Sequence, residues 1–444
     1  MRDNPLKTAS MYPQILALAA PIIISNISVP LLGLVDTAVV GHLSDSVYLA
    51  GVTLGATLFS FLFWGFGFLR MGTTGAVSQA AGANDSQRVV LLLRQGLVMA
   101  LGIAAGLLIF QGWLVSEGLA LLADDVAVVA QAKNYADIRI WSAPAVLINY
   151  VLMGWFLAQK DSRFALKMLL LGNGINIMLD LCFVVLLGWH VEGVALASVI
   201  ADYSVLLAGL LLAYRRLITL LPVMGWSLGG LDDFCVLFRV NRQLMVRTWL
   251  LLGSMAYFTA QGAAFGSDTL AANAILMQFI MMASYALDGY AHAVEALVGQ
   301  AEGMKDRLLR HRIVVSGAAL SGLTVITISG LYSLWGRELV GVMTDIPEVQ
   351  NLALTYLPWA IGIPLLAAGS YLLDGVYIGL MRSDVMRNGM LVSFAAFLVV
   401  EQLTSPWANQ GLWFAFACFM LLRSSVMAVH YCYRLYPSSL RHRR

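Results

Sequence analysis

Long runs of apolar residues recur along this chain, and they constrain its fold more than any other feature. A helix of roughly 20 apolar residues crosses the hydrocarbon core of a bilayer. Of the 444 residues, 60% are hydrophobic and 12% are charged, whereas an average soluble domain has about 25% charged residues. A soluble surface with so few charges would expose large apolar patches. The sequence therefore predicts an integral membrane protein.

The membrane spans are predicted to be helices, because an open strand edge would leave unpaired backbone groups in lipid. We predict an all-α polytopic protein with about twelve spans. The spans lie at residues 13–40, 49–77, 89–115, 135–156, 164–187, 194–214, 244–264, 270–298, 313–334, 351–380, 385–400 and 412–433. The first apolar run is too long for a signal-peptide core, so it is predicted to remain as the first span.

Lysine and arginine residues fall mainly in alternate loops between the spans. If the N-terminus lies inside, the inner loops hold most of the basic residues, whereas the outer loops hold Lys133, Arg139 and Arg337. Positive charge concentrates on the cytoplasmic side of membrane proteins. Both termini are therefore predicted to be cytoplasmic, in the inner membrane of a bacterium.

The two halves of the chain repeat one another at a constant offset of 221 residues without gaps. The clearest match is Gln79-Ala80-x-Gly82-x-x-Asp85, which recurs as Gln300-Ala301-x-Gly303-x-x-Asp306. Further matches at this offset are Leu49-Ala50 with Leu270-Ala271, Gly41 with Gly262, Tyr135 with Tyr356, Tyr150 with Tyr371, Gly154 with Gly375 and Ser162 with Ser383.

Each half contains six predicted spans, so both halves would enter the membrane from the same side. The repeat is then parallel, with a pseudo-twofold axis along the membrane normal. We predict an N-lobe at residues 1–215, a cytoplasmic linker at 216–243 and a C-lobe at 244–444. Two such halves around a central cavity are typical of a transporter.

Ionisable residues inside membrane spans are costly, so they indicate functional sites. In the first half, Asp36 lies roughly 9 Å and Asp180 roughly 12 Å from the predicted outer ends of their spans, at about 1.5 Å per residue. Ser198 lies at a similar depth, and Asn176 lies one turn from Asp180 on the same helix face. These side chains predict a polar cluster, with Asp202, one turn beyond Ser198, as a further candidate.

Two carboxylates close together in a low dielectric cannot both stay charged without a cation. The cluster is therefore predicted to take up a proton, or alternatively Na⁺, from the outside. The competing interpretation is a hydrogen-bonded cluster that only fixes helix packing. Pro21 and Pro30 interrupt the first span, where they predict either a bend that follows the charge of Asp36 or a static kink.

A second group of ionisable residues lies in the second half. Asp288, His292 and Glu295 share one face of the eighth span, and Asp374 lies in the tenth. An isolated buried charge is expensive, so Asp288 or Glu295 is predicted to pair with Arg70 of the first half. Such a pair would be either purely structural or an inner gate that is coupled to transport.

The sequence argues against several other functions. Gly172-Asn173-Gly174 lies inside a span, where small residues allow close helix approach rather than nucleotide binding. The basic tail at 441–444 is typical of the cytoplasmic side of a membrane protein and not of a nucleic-acid site. The four cysteines lack a metal-binding spacing, and no hydrolase signature is evident. We predict no enzyme activity, no cofactor and no resident metal.

Motifs in both halves match a known family of transporters. They are Leu18-Ala19-x-Pro21, Val35-Asp36-Thr37-x-x-x-Gly41, Gly75-x-x-Ser78-Gln79-x-x-Gly82-Ala83, Ala286-Leu287-Asp288-Gly289-x-Ala291-x-Ala293-x-Glu295-Ala296, Gly299-Gln300-Ala301, Leu373-Asp374-Gly375-x-x-Ile378-Gly379 and Met386-Arg387-Asn388. With these motifs the chain resembles the multidrug and toxic compound extrusion (MATE) family, and within it the DinF branch. The resemblance covers nearly the whole chain.

The resemblance implies a V-shaped fold of two six-helix lobes that exports organic compounds by antiport with H⁺ or Na⁺. In DinF-like members the coupling site is placed on the aspartate of span 1 and on polar partners in spans 5 and 6. Those positions match Asp36, Asn176, Asp180 and Ser198, of which Ser198 departs from the family if the hydroxyl there is a threonine. The NorM-like branch has an acidic residue in span 7, and residues 244–264 contain none.

We therefore predict a multidrug efflux antiporter that exports organic, often cationic or amphiphilic, compounds in exchange for H⁺. One alternative is a Na⁺-coupled antiporter of the same fold. Another is a lipid or glycolipid flippase, for which Arg70 and Arg423 are the basic residues available within spans. The expected partners are small organic substrates and the lipid bilayer, without nucleic acid, and the protein is expected to be monomeric.

Overall fold

The computed structural model describes residues 10–40, 46–220 and 229–436, without the side chains of 29–40, 46, 219–220 and 231–233. These residues are almost entirely helical and contain no strand. The helices are α1 (Tyr12–Val40), α2 (Ser46–Gly65), α3 (Phe68–Gly82), α4 (Ser86–Ile109), α5 (Gln111–Ala120), α6 (Val126–Arg139), α7 (Ala143–Ala158), α8 (Arg163–Asp180), α9 (Val191–Leu220), α10 (Leu231–Ala264), α11 (Ser267–Gly303), α12 (Arg307–Met343), α13 (Pro347–Gly379), α14 (Ser383–Thr404) and α15 (Asn409–His430).

Ten helical segments in the described part of the chain are long and apolar enough to cross a membrane. They coincide with predicted spans 2 to 6 and 8 to 12. Helices α1 and α10 occupy the places of predicted spans 1 and 7. The prediction of an all-α, multi-pass membrane protein is therefore confirmed.

Several predicted spans have different bounds in the structure. The second span is interrupted between α2 and α3, where the N–H groups of Phe66 and Gly67 bond to carbonyls three residues back and tighten the last turn. The third span ends at Ile109 rather than at residue 115, and α5 follows after a break at Phe110. The fourth span begins at Val126 and passes through a 3₁₀ turn between α6 and α7.

The chain divides into two compact units. The N-terminal unit is Ile27–Phe238, and the C-terminal unit combines Met1–Asn26 with Arg239–Arg444. This division falls inside α1 and α10. Helix α9 extends to Leu220 and α10 begins at Leu231, so helix occupies both ends of the segment predicted as a linker. The lobes at 1–215 and 244–444 stay a prediction.

The first half of α1 packs within the C-terminal unit, against α11. The side-chain amide of Asn26 donates a hydrogen bond to the Tyr285 carbonyl oxygen at 3.2 Å. A Cβ at Gly289 would collide with Ile23, so the absence of a side chain lets the two helices approach closely. The backbone of α1 remains helical through Pro21 and Pro30. A role of these prolines in bending stays a prediction.

The sequence repeat reappears as repeated helix caps. In the N-terminal unit, Asp85 Oδ1 accepts a hydrogen bond from the Arg88 N–H at 2.9 Å and caps α4. In the C-terminal unit, Asp306 Oδ1 accepts one from the Leu309 N–H at 2.9 Å and caps α12. Both pairs are related by the same offset. The motif therefore recurs because an aspartate side chain satisfies the free N–H groups that begin each helix.

The turns around these caps also repeat in their backbone conformation. Asn84 and Lys305, which precede the caps, have φ of 57° and 59°. Lys160 and Met381, which end α7 and α13, have φ of 65° and 54°. This left-handed backbone conformation is uncommon for residues other than glycine. Four such residues at one constant offset show that the two halves share local structure and not only residue types.

Two equivalent glycines allow close helix contacts. A Cβ on Gly154 of α7 would lie 2.5 Å from the Arg70 carbonyl oxygen of α3. A Cβ on Gly375 of α13 would collide with the Ala291 carbonyl oxygen of α11. Small residues at such positions let membrane helices pack backbone to backbone.

We predict that Gly375→Ala lowers the free energy of unfolding by about 1–3 kcal/mol, because the added methyl group must push α11 and α13 apart. The matched control is Gly362→Ala on the same helix, where a Cβ would meet nothing within 4 Å. Alanine there should be neutral or slightly stabilising. Reversible unfolding by SDS in mixed micelles measures both variants, and equal stability of the two would contradict the close contact.

Candidate functional site

The predicted polar cluster of the N-terminal unit lies where α8 meets α9. Asp180 is the last residue of α8 and is 1% exposed, and Asn176, one turn earlier, is 7% exposed. The Asn176 side-chain amide donates a hydrogen bond to the Ser198 hydroxyl of α9 at 3.4 Å. The structure therefore brings Asn176 and Ser198 together beside a buried acid, as the sequence predicted.

A π-helical turn, Leu181–Leu186, follows Asp180 directly. The wider turn changes the hydrogen-bond register at this point, and such turns are frequent at functional sites. The span that contains α8 ends at Leu186, six residues beyond Asp180. At about 1.5 Å per residue, Asp180 lies roughly 9 Å inside that end.

A second polar group connects to this cluster through Ser198. The Tyr135 hydroxyl of α6 lies close to the side chains of Ser198 and Arg139 and interacts with both. Arg139 forms an ion pair with Asp202 of α9 at 2.5 Å between Nη1 and Oδ2. Side-chain contacts therefore run continuously from Asn176 on α8 to Asp202 on α9.

This geometry adds detail to two predictions. Arg139, which was counted with the outer basic residues, ends α6 inside a continuous helical span, and its side chain is only 15% exposed. Asp202, a candidate coupling residue, has a basic partner in Arg139. The sequence missed this pair because Arg139 and Asp202 are 63 residues apart and only packing of α6 on α9 joins them. A role of Asp202 in coupling stays a prediction.

The other predicted residues of the N-terminal unit are Asp36 and Arg70. Asp36 lies in α1, and its side chain is outside the described residues. Arg70 lies in α3 and is half-buried. Oxygen atoms of the kind offered by Asp180, Asn176 and Ser198 suit a proton or a hard cation such as Na⁺. Among the described residues, no three His, Cys, Asp or Glu side chains form a metal-binding group.

The C-terminal unit contains a different buried charge cluster. Asp374 Oδ2 of α13 accepts hydrogen bonds from Arg247 of α10 and, at 3.1 Å, from Arg423 of α15. The Arg423 guanidinium also lies over the Phe419 ring, 5.6 Å from its centroid. Both arginines are buried, at 6% and 2% exposure. One carboxylate thus joins three helices through two cations.

This cluster holds a net positive charge in a buried position, which is energetically costly. Two guanidinium groups share one carboxylate, and the Nε atoms of Arg247 and Arg423 are buried without a hydrogen-bond partner among the described residues. Removing the carboxylate would leave two uncompensated cations out of water. Arg247 was missed as a site residue, although a lone arginine inside an apolar span is itself a signal.

Asp288, His292 and Glu295 share one face of α11, as predicted. Glu295 is fully buried, and Asp288 and His292 are half-buried. Asp288 lies near Tyr371 of α13, which also interacts electrostatically with Asp374. The C-terminal unit therefore gathers several acids between α11 and α13. Pairing of Asp288 or Glu295 with Arg70 stays a prediction, as does a gating role of His292 or Asp374.

Comparison with known proteins identifies the family. The MatE family model matches residues 21–182 and again 245–407, so each half of the chain matches once. The chain belongs to the MatE family. It is 42% identical to DNA damage-inducible protein F of Escherichia coli (strain K12) over 93% of its own length and 90% of that protein. It is 26% identical to a probable multidrug resistance protein NorM of Synechococcus over 90% of its length and 89% of that protein.

Solved structures confirm the fold. A crystal structure of MATE in complex with MaD3S matches with a TM-score of 0.87 at 17% identity, over 100% of this chain and 99% of that one. MATE in the bent conformation matches with a TM-score of 0.89 at 17% identity, over 99% and 98% of the two chains. The protein is therefore a membrane transporter of the multidrug and toxic compound extrusion class, similar to the DinF branch, and not an enzyme.

We predict that Asp374→Asn lowers the free energy of unfolding of this MATE protein by about 3 kcal/mol, because it leaves two buried arginines without a counter-charge. The matched control is Asp384→Asn. Asp384 pairs with Arg382 at 3.6 Å on the surface, with both side chains about half exposed. Its loss should cost less than about 1 kcal/mol.

Unfolding in SDS mixed micelles at constant pH compares the two variants. A small loss in Asp374→Asn, equal to that in Asp384→Asn, would mean that the two arginines do not depend on Asp374.

Proposed function

We propose that this protein is a proton-coupled antiporter that exports organic, often cationic or amphiphilic, compounds through Asp36 and Asp180. The observation that carries the proposal is the near-complete burial of Asp180 beside the Asn176–Ser198 hydrogen bond. A buried carboxyl group in a membrane span marks a proton or ion pathway by default. The family of the chain and the multidrug resistance proteins among its relatives also support this proposal.

In this proposal, transport depends on the neutralisation of buried carboxylates by protons. Burial in a low dielectric disfavours the charged form of a carboxyl group. A second carboxyl group nearby disfavours it further, so two such acids share at least one proton over a wide pH range. Asp36 and Asp180 would therefore take up a proton when they face the outside and lose it when they face the cytoplasm.

The neighbouring side chains have supporting roles in this proposal. Asn176 and Ser198 hold α8 and α9 together and offer donors and acceptors that suit either charge state of Asp180. Ser198 also contacts Tyr135, which interacts with Arg139. A change of charge at Asp180 could thus alter the packing of α6 against α9. Sequence position alone suggests that α1, with Pro21 and Pro30, responds to Asp36.

In the proposed cycle, proton entry from the outside displaces the organic compound outward, and proton release to the cytoplasm resets the protein. Efflux should therefore become faster when the outside is more acidic than the inside. The pairing of Asp374 with two arginines supports a structural rather than a coupling role for that residue. Na⁺ in place of H⁺ remains the rival coupling ion.

The test uses purified protein in proteoliposomes with a pH-sensitive dye inside. We expect Asp36→Asn and Asp180→Asn to abolish proton flux that depends on an added organic cation, because an amide cannot take up the proton. The matched control is Asp137→Asn, an exposed aspartate of α6 in the same unit, which should keep its flux. Chromatography in detergent confirms that each variant folds.

The gradients separate the alternatives. A pH gradient alone should drive efflux by the wild-type protein, whereas a Na⁺ gradient alone should not. If efflux requires a Na⁺ gradient, Na⁺ and not H⁺ is the coupling ion. If Asp36→Asn keeps the wild-type proton flux, Asp36 is not part of the coupling site.

A further inference from the structure

The C-terminal unit contains a buried acid, Glu401, that takes no part in the proposed coupling site or in the Asp374 cluster. Glu401 lies near the end of α14 and is 9% exposed. The Tyr257 hydroxyl of α10 donates a hydrogen bond to Glu401 Oε2 at 2.9 Å. Glu401 lies one residue beyond the predicted end of the eleventh span at residue 400, so the sequence did not indicate it as a buried acid.

Glu401 and Tyr257 occupy the places of Asp180 and Asp36 in the internal repeat. The offset of 221 residues that relates the caps and turns of the two halves takes 180 to 401 and 36 to 257. The span of Asp180 ends at Leu186, and the span of Glu401 ends at Trp407. Each acid therefore lies six residues before the end of its span, roughly 9 Å at about 1.5 Å per residue.

The surroundings of the two acids differ in polarity. The repeat replaces Asn176 and Ser198 by Phe397 and Phe419 in the C-terminal unit. Both phenylalanines are fully buried, and the Phe397 ring lies 5.6 Å from that of Tyr257. A carboxyl group in aromatic surroundings loses more hydration than one among hydroxyl and amide groups.

Basic side chains do not neutralise Glu401 within the described residues. Its hydrogen-bond partner is Tyr257, and the side chain of Gln261 also lies close to the Tyr257 hydroxyl. The charged groups of the neighbouring helices are otherwise engaged or exposed. Arg247 of α10 and Arg423 of α15 both pair with Asp374 of α13, and His430 of α15 contacts Tyr377. The exposed groups are Arg239 and Arg242 of α10 and Glu348 of α13.

We propose that Glu401 is a second proton-binding site, in the C-terminal unit, with Tyr257 as its positioning residue. The inference rests on the proposed proton-coupled transport and extends it to the other half of the repeat. Glu401 binds one proton on a carboxylate oxygen from water on one side and returns it to water on the other. Tyr257 donates to Oε2 throughout and keeps its own proton.

The consequence is a larger proton count per exported molecule. With one proton shared by the acids of the N-terminal cluster, a further site in the C-terminal unit lets the protein exchange two protons for one substrate. If the Tyr257–Glu401 pair is purely structural, its hydrogen bond only holds α10 and α14 together, and a different result is expected. A neutral acceptor would still form this hydrogen bond, although more weakly than a carboxylate, and the number of exchanged protons would not change.

The decisive variant is Glu401→Gln in proteoliposomes. The amide keeps an oxygen that accepts the Tyr257 hydrogen bond but cannot take up a proton. With the membrane potential clamped at zero, the steady-state ratio of a fluorescent organic cation such as ethidium is measured against an imposed pH gradient. The slope of the logarithm of this ratio against the pH difference gives the number of protons per substrate.

We expect the slope to fall by about twofold in Glu401→Gln, from two protons to one, because the amide removes one of the two proton-binding sites. The matched control is Glu338→Gln, an exposed glutamate of α12 in the same unit, which should keep the wild-type slope. An unchanged slope in Glu401→Gln overturns the inference. A wild-type protein without any coupled proton flux refutes the proposed function instead, so the two failures are distinguishable.

Tyr257→Phe provides an independent test, also in case Glu401→Gln does not fold. This variant keeps the carboxyl group and loses the donor that favours its charged form. We expect the slope to stay at the wild-type value and the pH of half-maximal transport to rise. If Tyr257→Phe lowers stability but leaves the pH of half-maximal transport unchanged, the Tyr257–Glu401 hydrogen bond has only a structural role, and the inference is overturned.

Discussion

The cost of a charge in a membrane interior governs the arrangement of this protein. Ionic groups removed from water must be paired, hydrogen-bonded or neutralised by a proton. The chain has few charged residues, and several of them lie in buried positions inside helices. Asp374 is neutralised by two arginines, and Asp202 by Arg139. Glu401 accepts a hydrogen bond from the Tyr257 hydroxyl and forms no ion pair within the described residues, which distinguishes it from these paired acids.

The internal repeat gives the two halves the same framework with different chemistry. The caps at Asp85 and Asp306 and the glycines at Gly154 and Gly375 fix equivalent turns and equivalent close contacts in both halves. On this common framework the N-terminal unit carries amide and hydroxyl groups near Asp180, whereas the C-terminal unit carries phenylalanines near Glu401. A duplicated fold thus keeps its backbone requirements, and its buried polar groups are free to diverge.

Helix packing also connects residues that are remote in sequence. Arg247, Asp374 and Arg423 come from three helices of the C-terminal unit, and the one carboxylate of Asp374 compensates both buried guanidinium groups. Tyr135 and Ser198 connect the Asn176 cluster to the Arg139–Asp202 pair in the same way. Such networks have two consequences. They hold helices in register, and they make the position of each helix depend on the charge state of its neighbours.

The sequence by itself determined the membrane location, the helical class, the repeat and the family, because each depends on local composition or on spacing along one helix. It also predicted that Asn176, Asp180 and Ser198 lie at a similar depth, and the structure shows a hydrogen bond between Asn176 and Ser198. The partners of Asp202, Asp374 and Glu401 were decided only by the tertiary structure. Their contacts join residues 63, 127 and 144 positions apart, and the distance between such residues depends on how helices pack and not on any periodicity within them.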